Sequence, residues 1–308
     1  MKQMQYLVHQ IPFFSGKKCS IYLDIYHNDN YPACLLVSDG TAMYKVRFPG
    51  VLNRSSVESE YRALKLLSEY GVAGIPKTIT TGIVNGIPYI IECYIEGSSL
   101  DKIHNALSYD DWEHIAHRLA SFLHNLAEIH TARPHVFKNP GKVYNSYGDV
   151  ISESILKHLD KHTSSGLISS DLANRIRETI EDIDSVFSED ATFLHFDIKP
   201  QNIVFNPQSR GVAFIDYEHS RMGDYTHEIF RTDMAAVRNP YFCECWRMAK
   251  QEYLDGWCDS YWKEKYSQKL FFYELLYNIS EMTYFRLIGD QAQVVACQNG
   301  IVDKLRQH

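Results

Sequence analysis

The sequence predicts an α+β fold in two lobes, a strand-rich N-terminal lobe over 1–95 and a mainly helical C-terminal lobe over 96–308. Three observations predict it. Short β-branched and aromatic runs, separated by turn formers, fill the first 50 residues and return at 77–94. Beyond about residue 100, apolar residues recur every three or four positions through most of the chain. And 308 residues exceed what one small core needs, which suits two lobes.

In chain order, strands are expected at 19–26, 33–37 and 41–48, broken by His27-Asn28-Asp29-Asn30 and by Ser38-Asp39-Gly40. A helix is expected over 56–70, where Val57, Tyr61, Leu64 and Leu67 share a face and Gly71 stops it. Strands at 77–83 and 88–94 flank an Asn85-Gly86 turn. Glu96-Gly97-Ser98-Ser99 reads as a connector. Trp112, Ile115, Leu119, Phe122, Leu123, Leu126 and Ile129 then mark a long amphipathic helix that ends before Pro134. Residues 131–150 read as loop, and 151–163 and 170–187 as helices. The stretch 192–219 reads as hairpin-like strands, and the remainder as helix with a strong stripe over 268–287.

Composition narrows the function. A formal charge of −7 gives no electrostatic case for nucleic acid, which needs clustered Lys and Arg. No run approaches 18 apolar residues, so no membrane span is expected. Met1-Lys2-Gln3-Met4-Gln5-Tyr6-Leu7 lacks the apolar stretch of a secretory signal. Seven cysteines without framework spacing, Cys243 and Cys245 being the only close pair, point to a reducing compartment, with the cytoplasm as the default.

The chemistry is concentrated in His195-Phe196-Asp197-Ile198-Lys199-Pro200-Gln201-Asn202 and in Ile215-Asp216-Tyr217-Glu218. Phosphoryl transfer needs a base at the attacking hydroxyl, ligands for Mg²⁺ and a cation on the nucleotide phosphates. Asp197 supplies the base, and Asn202, five residues on, a metal ligand. Asp216, 14 residues further and at the end of an apolar strand, can reach the same ions. One Asp and one Asn suffice, because Mg²⁺ fills its shell with water and phosphate oxygens.

This HxDxxxxN pattern, followed by an apolar strand and Asp, resembles the catalytic signature of the protein-kinase-like superfamily. Ile215-Asp216-Tyr217-Glu218, with Gly223-Asp224 after it, resembles the aminoglycoside phosphotransferase and choline kinase branch. The resemblance implies a bilobal protein-kinase-like fold with ATP and Mg²⁺ as cofactors. Asp197 is then the base, with Asn202 and Asp216 as metal ligands. It also implies that Lys45 is the strand lysine on the nucleotide phosphates and Glu60 the helix residue that orients it; Arg47 and Glu58 remain alternatives. Lys45 and Arg47 share a strand face, so periodicity does not separate them. By the same resemblance, Glu92, Cys93 and Tyr94 form the hinge whose backbone meets the adenine edge. The phosphate-covering loop stays unassigned between Ser15-Gly16-Lys17-Lys18 and 27–31, with Ser20 a candidate.

Lys199 fits a protein kinase loop and would steady charge on the transferring phosphoryl group. Three features favour a small hydroxyl-bearing acceptor instead: Tyr217-Glu218 after Asp216, too little chain after it for an activation loop, and about 100 residues between hinge and His195. A serine/threonine protein kinase is the alternative, and a nucleotide-binding pseudokinase a more distant one. The acceptor is expected to bear amines, with C-terminal aromatics such as Trp246, Tyr253, Trp257, Tyr261, Trp262 and Tyr273, or Asp224, Glu228 and Asp233, as candidate contacts; the resemblance makes Asp224, in the Gly-Asp element, a brace of the C-lobe before a ligand.

Overall fold

A computed structural model describes residues 2–23, 33–49, 56–187, 190–255 and 260–307. The chain opens with helix α1 (Lys2–Gln10) and a 3₁₀ turn at Pro12–Phe14. An antiparallel sheet follows, built from β1 (Ser20–Leu23), β2 (Ala33–Ser38), β3 (Met43–Phe48), β4 (Thr78–Val84) and β5 (Ile87–Cys93) in the order β1-β2-β3-β5-β4. Helix α2 (Ser56–Glu69) lies between β3 and β4 in sequence. Alternation along each strand gives the sheet two unlike faces. Val37, Val46, Tyr89 and Ile91 pack with Leu7, Val8, Ile11 and Phe14 of the N-terminal segment. Ile90, with Val57, Leu64 and Leu67 of α2, instead joins the core of the helical region.

The helical region begins at β6 (Ser98–Ser99), α3 (Leu100–Ile103), α4 (Tyr109–Ala127), β7 (His130–Thr131), β8 (His135–Val136), α5 (Tyr147–Ser164) and α6 (Ser170–Thr179). It continues through β9 (Ala191–Leu194), β10 (Ile203–Asn206), β11 (Gly211–Phe214), β12 (Arg221–Gly223), α7 (Tyr225–Arg238), α8 (Cys243–Asp255), α9 (Ser260–Leu287) and α10 (Gln291–Gln307). Serine starts both long early helices: Ser108 with Asp111, and Ser146 with Asp149, form capping boxes that satisfy the first free amides. Among the described residues, no helix is long and apolar enough to cross a membrane.

Several expectations are corrected. The N-terminus carries α1, not only strands; its helical periodicity is short, and its stability comes from burying Leu7 and Val8 against the sheet. The strands of 192–219 do not form one hairpin. β10 pairs with β11 and β6, whereas β9 pairs with β7 and β12, which also pairs β8. The segments read as connector and loop thus supply β6, β7 and β8 as short sheet edges. The expected helix over 170–187 stops at Thr179, with a 3₁₀ turn at Ile183–Ser185. The turn at 27–30 lies outside the described residues.

Gly223 shows how tightly β12 sits on α5: a Cβ there would stand 2.2 Å from the ring of Tyr147, which is fully buried. Gly223→Ala should therefore destabilise the protein by about 1–3 kcal/mol, the usual cost of overpacking. Denaturant unfolding checks this, and an unchanged midpoint would contradict the close packing.

Candidate active site

Two backbone kinks build the site. Phe196 and Asp216 both adopt left-handed conformations, with φ of 70° and 71°. Non-glycine residues rarely do so, and surrounding bonds must hold them there. His195, fully buried where β9 ends, supplies those bonds. Its Nε2 lies 3.1 Å from the Ile215 carbonyl, and its Nδ1 lies 3.3 Å from the Asp197 amide. An amide only donates and a carbonyl only accepts, so Nε2 carries the proton and the ring is neutral. Burial, the largest influence, pushes His195 down to about 4. The Phe196 amide donates to Glu228 Oε2 at 2.8 Å, and the Ser220 hydroxyl to the His195 carbonyl at 3.3 Å. Burial raises the Glu228 carboxyl to about 7.

These constraints bring Asp197, Asn202 and Asp216 together. Asn202 Nδ2 donates to Asp197 Oδ2 at 2.8 Å and to the Asp197 carbonyl at 2.9 Å. Lys199 Nζ lies 2.7 Å from Asp197 Oδ2. The Ile215 amide donates to the Asn202 carbonyl at 2.9 Å, which fixes Asp216 beside the loop. Burial opposes the charge on Asp216, yet Arg47 and Lys45 hold its carboxyl below the ordinary range. With Nδ2 engaged by Asp197, the amide oxygen of Asn202 is its remaining polar atom. One amide oxygen and one partly exposed carboxylate are a donor set that suits Mg²⁺ alongside phosphate and water.

The cation beside Glu60 is Arg47, not Lys45. Arg47 Nη1 lies 2.6 Å from Glu60 and 3.2 Å from Asp216, and its Nη2 pairs with Glu218. A guanidinium fork serves several carboxylates at once, which an ammonium does less well. Lys45 stands opposite Glu92 in the β3–β5 register and pairs with it at 3.6 Å. Glu60 also accepts from the Tyr217 amide at 3.4 Å, whereas Glu58 pairs with Arg62 on the surface. Glu92 is buried with neither carboxyl oxygen hydrogen-bonded among the described residues. Arg47 as the central cation is what the sequence reading put second, since strand alternation gives both residues one face. Glu218 as its partner was not anticipated as a site contact.

Two further expectations shift. The amides of Cys93 and Tyr94 are engaged by the Lys77 and Met43 carbonyls, at 2.9 and 3.0 Å, so sheet pairing removes them as donors to a ligand. Residues 94–97 follow the end of β5, which puts Ile95 at the first step beyond the last sheet-bonded amide. Ser20 opens β1 opposite Ser38, roughly 10 Å along the strand from Leu23 at the end that leads into 24–32. Its position therefore does not suit a phosphate-covering loop. Lys17 pairs with Asp39 at 3.0 Å and lies over the Phe13 ring. The alternative at 27–31 lies outside the described residues.

The groups expected to receive an amine are engaged elsewhere. Asp224 caps α7 and pairs with buried Lys269. Glu228 holds the Phe196 amide, and Asp233 binds Lys250 at 2.8 Å and Trp246 at 2.7 Å. Trp246, Tyr253 and Tyr273 are core residues. The side chains of Trp257, Tyr261 and Trp262 lie outside the described residues.

A strand sheet with helices α1 and α2, set on a helical region that carries an Asp–Asn–Asp site and joined to that site through Arg47, defines a kinase-like fold. The family model described as "Phosphotransferase enzyme family" matches residues 28–262, and the chain belongs to that family, as a small-molecule kinase. The fold is similar to that of aminoglycoside phosphotransferase APH(4)-Ia in a thermostable mutant, at 14% identity and TM-score 0.66, over 98% of each chain. It is also similar to a protein provisionally named fructosamine-3-kinase from Haemophilus somnus 129PT, at 15% identity and TM-score 0.68, over 98% of this chain and 96% of that one. The gentamicin complex of APH(2")-IIa matches at 13% identity and TM-score 0.66, over 98% and 96%. No curated protein sequence matches the chain significantly.

His195 makes stability depend on pH. Its depressed value means that the unfolded chain takes up this proton first, so stability falls as pH drops from about 6.5 to about 4. Compared with His195→Gln, the wild type should lose about 3 kcal/mol more across that window. Denaturant titrations at several pH values measure this, and parallel curves would show that the ring is not held neutral.

Proposed function

We propose that the chain transfers the γ-phosphoryl group of ATP to a hydroxyl of a small molecule, with Asp197 as the base. The observation that carries this reading is the convergence of Lys199 and Asn202 on the Asp197 carboxylate, next to Asp216. Asp197 accepts the hydroxyl proton as oxygen attacks phosphorus. Lys199, at hydrogen-bond distance from that carboxylate, offsets charge on the transferring group. Asn202 and Asp216 are the residues that would hold Mg²⁺, which when bound neutralises charge on the phosphate oxygens. Arg47 and Lys45, on one face of β3, are the cations for the nucleotide phosphates, with Glu60 and Glu218 orienting Arg47. The backbone around Ile95 is the segment for the adenine edge. The lobes divide at 95/96, between β5 and β6.

Support for an amine-bearing acceptor comes from similar structures solved in complex with hygromycin B and with gentamicin. The carboxylates of this chain that were candidates for amines are engaged by Lys269, Lys250 and the Phe196 amide, which weighs against that class. Lys199 favours the protein-kinase alternative. Against it, residues 217–224 span the whole distance from Asp216 to α7, and β12 within them is paired on both sides.

Asp197→Ala should lower kcat by at least about 10²-fold while ATP still binds. Steady-state kinetics with a metabolite and antibiotic panel, and separately with generic protein substrates, tests both the mechanism and the acceptor class. Unchanged turnover would remove Asp197 from its role, and label transferred only to protein would overturn the small-acceptor reading. Asp216→Ala should abolish magnesium-dependent ATP binding. Arg47→Met should weaken ATP binding more than Lys45→Met does, and the reverse order in calorimetry would return the nucleotide cation to Lys45.

A further inference from the structure

A cavity of about 150 Å³ lies behind the catalytic loop, between α5, β12, α7 and α9. Its lining includes Phe196, Arg221, Arg231, His158, Tyr277 and Ser280, and no carboxylate. The Arg221 guanidinium sits flat against the wall, its Cζ 3.5 Å from the centre of the Phe196 ring, and Arg231 approaches the same ring at 5.2 Å. Neither arginine has an ion pair within 4.0 Å among the described residues; Arg221 Nε meets the His219 carbonyl, at 3.4 Å, and the guanidinium also interacts with the Tyr147 side chain. The nearby carboxylate, Glu228, holds the Phe196 amide and does not line the space. Burial depresses the ordinary value of Arg221, with Arg231 adding to that and Tyr147 and Glu228 opposing it.

Two guanidinium groups facing one small cavity with no carboxylate in direct contact repel each other in a region of reduced dielectric, and Glu228, the nearby negative charge, offsets this only from a distance. An anion between them removes that repulsion and gains charge-assisted hydrogen bonds, for which the planar fork suits carboxylate or phosphate oxygens. Tyr277, Ser154 and Ser280 add neutral hydroxyl groups on the same walls. At about 30 Å³ per water, the space holds roughly five waters, enough for one anionic group and a few attached carbons. Its position does the rest: Phe196 forms the wall, and Asp197 is the next residue.

We propose that this cavity seats the carboxylate or phosphate group of the acceptor, so that the substrate is a small hydroxyl-bearing acid. The inference rests on the kinase reading above and narrows its substrate class. With the anion between Arg221 and Arg231, the acceptor extends past Phe196 and presents its hydroxyl to Asp197. The new bond joins that oxygen to the γ-phosphorus, and the bond from phosphorus to the β,γ-bridging oxygen breaks. ADP leaves with that electron pair, and the hydroxyl proton goes to Asp197.

The test uses the full chain saturated with Mg·ADP and titrated calorimetrically with inorganic phosphate in one arm and acetate in another. Saturable binding of at least one anion is expected, weakened at least about tenfold by Arg221→Met/Arg231→Met, with Arg231→Lys in between. ADP affinity within twofold of wild type in each variant establishes that it has folded. A parallel arm compares glycerol, glycerate and glycerol 3-phosphate with kanamycin and choline as acceptors. An anionic acceptor should be preferred, and its KM should rise in the double variant while the KM for ATP holds. Absence of saturable anion binding, equal binding in the double variant, or turnover of kanamycin or choline with an unaltered KM would each overturn the proposal. Failure of the kinase reading itself would show differently, as wild-type protein that does not bind Mg·ADP.

Discussion

The site depends on one buried imidazole. His195 links the loop that carries Asp197 to the strand end that carries Asp216, and it does so only as a neutral ring with the proton on Nε2. Each of the two segments contains a left-handed residue that would relax if released. Holding them from a fully buried ring, bonded to main chain on both sides, sets the separation of the carboxylates by backbone instead of by flexible side chains. Preorganisation of this kind lets a phosphoryl-transfer site act mainly through positioning and electrostatics.

Arg47 is the second organising element, and it works at a cost. Burying a guanidinium and several carboxylates removes them from water, and only close mutual contact offsets that penalty. Glu60 and Glu218 provide fixed partners, so Arg47 stays anchored between α2 and the segment after β11. Its contact with Asp216, at 3.2 Å, is longer than that with Glu60, at 2.6 Å. That ranking suits a site where Asp216 turns to a metal ion while Arg47 keeps its place. Lys45 lies one alternation away, paired with a buried Glu92 that has little else to satisfy it. Together they set two cations and four carboxylates around the cleft face of the sheet.

Legibility in the sequence followed the range of the interactions involved. Asp197, Asn202 and Asp216 are read from spacing because one loop and one short hairpin place all of them. Helices α2 and α4 are read from periodicity because each buries one continuous face. Choosing between Lys45 and Arg47 was beyond that method: both face inward, and the decision is made by Glu60, Asp216 and Glu218, whose approach is tertiary. Helix α1 escaped notice for a similar reason, since nothing in nine residues announces the sheet face that it covers. Spacing also does not show that sheet pairing reaches the Tyr94 amide, one residue past the end of β5. Asp224, read as a brace and not as a ligand, does cap α7 and pair with Lys269, an outcome its place after Gly223 made readable.

The two sides of the catalytic loop carry opposite electrostatic characters, and Phe196 is the partition. On one side, carboxylates gather around Arg47, Lys45 and Lys199, the charges that the proposed function assigns to metal and phosphate. On the other side, the same residue turns an aromatic face to Arg221 and Arg231. An aromatic ring accepts a guanidinium against its face without neutralising it, so the charge remains directed at whatever enters the space. A carboxylate at position 196 would have quenched it, and a further arginine would have increased the repulsion. The same residue has a left-handed backbone, and its amide is fixed by Glu228. Under the proposed reading, acceptor recognition and the placement of the base are coupled through Phe196, because a ligand that presses on its ring acts on the backbone that carries Asp197.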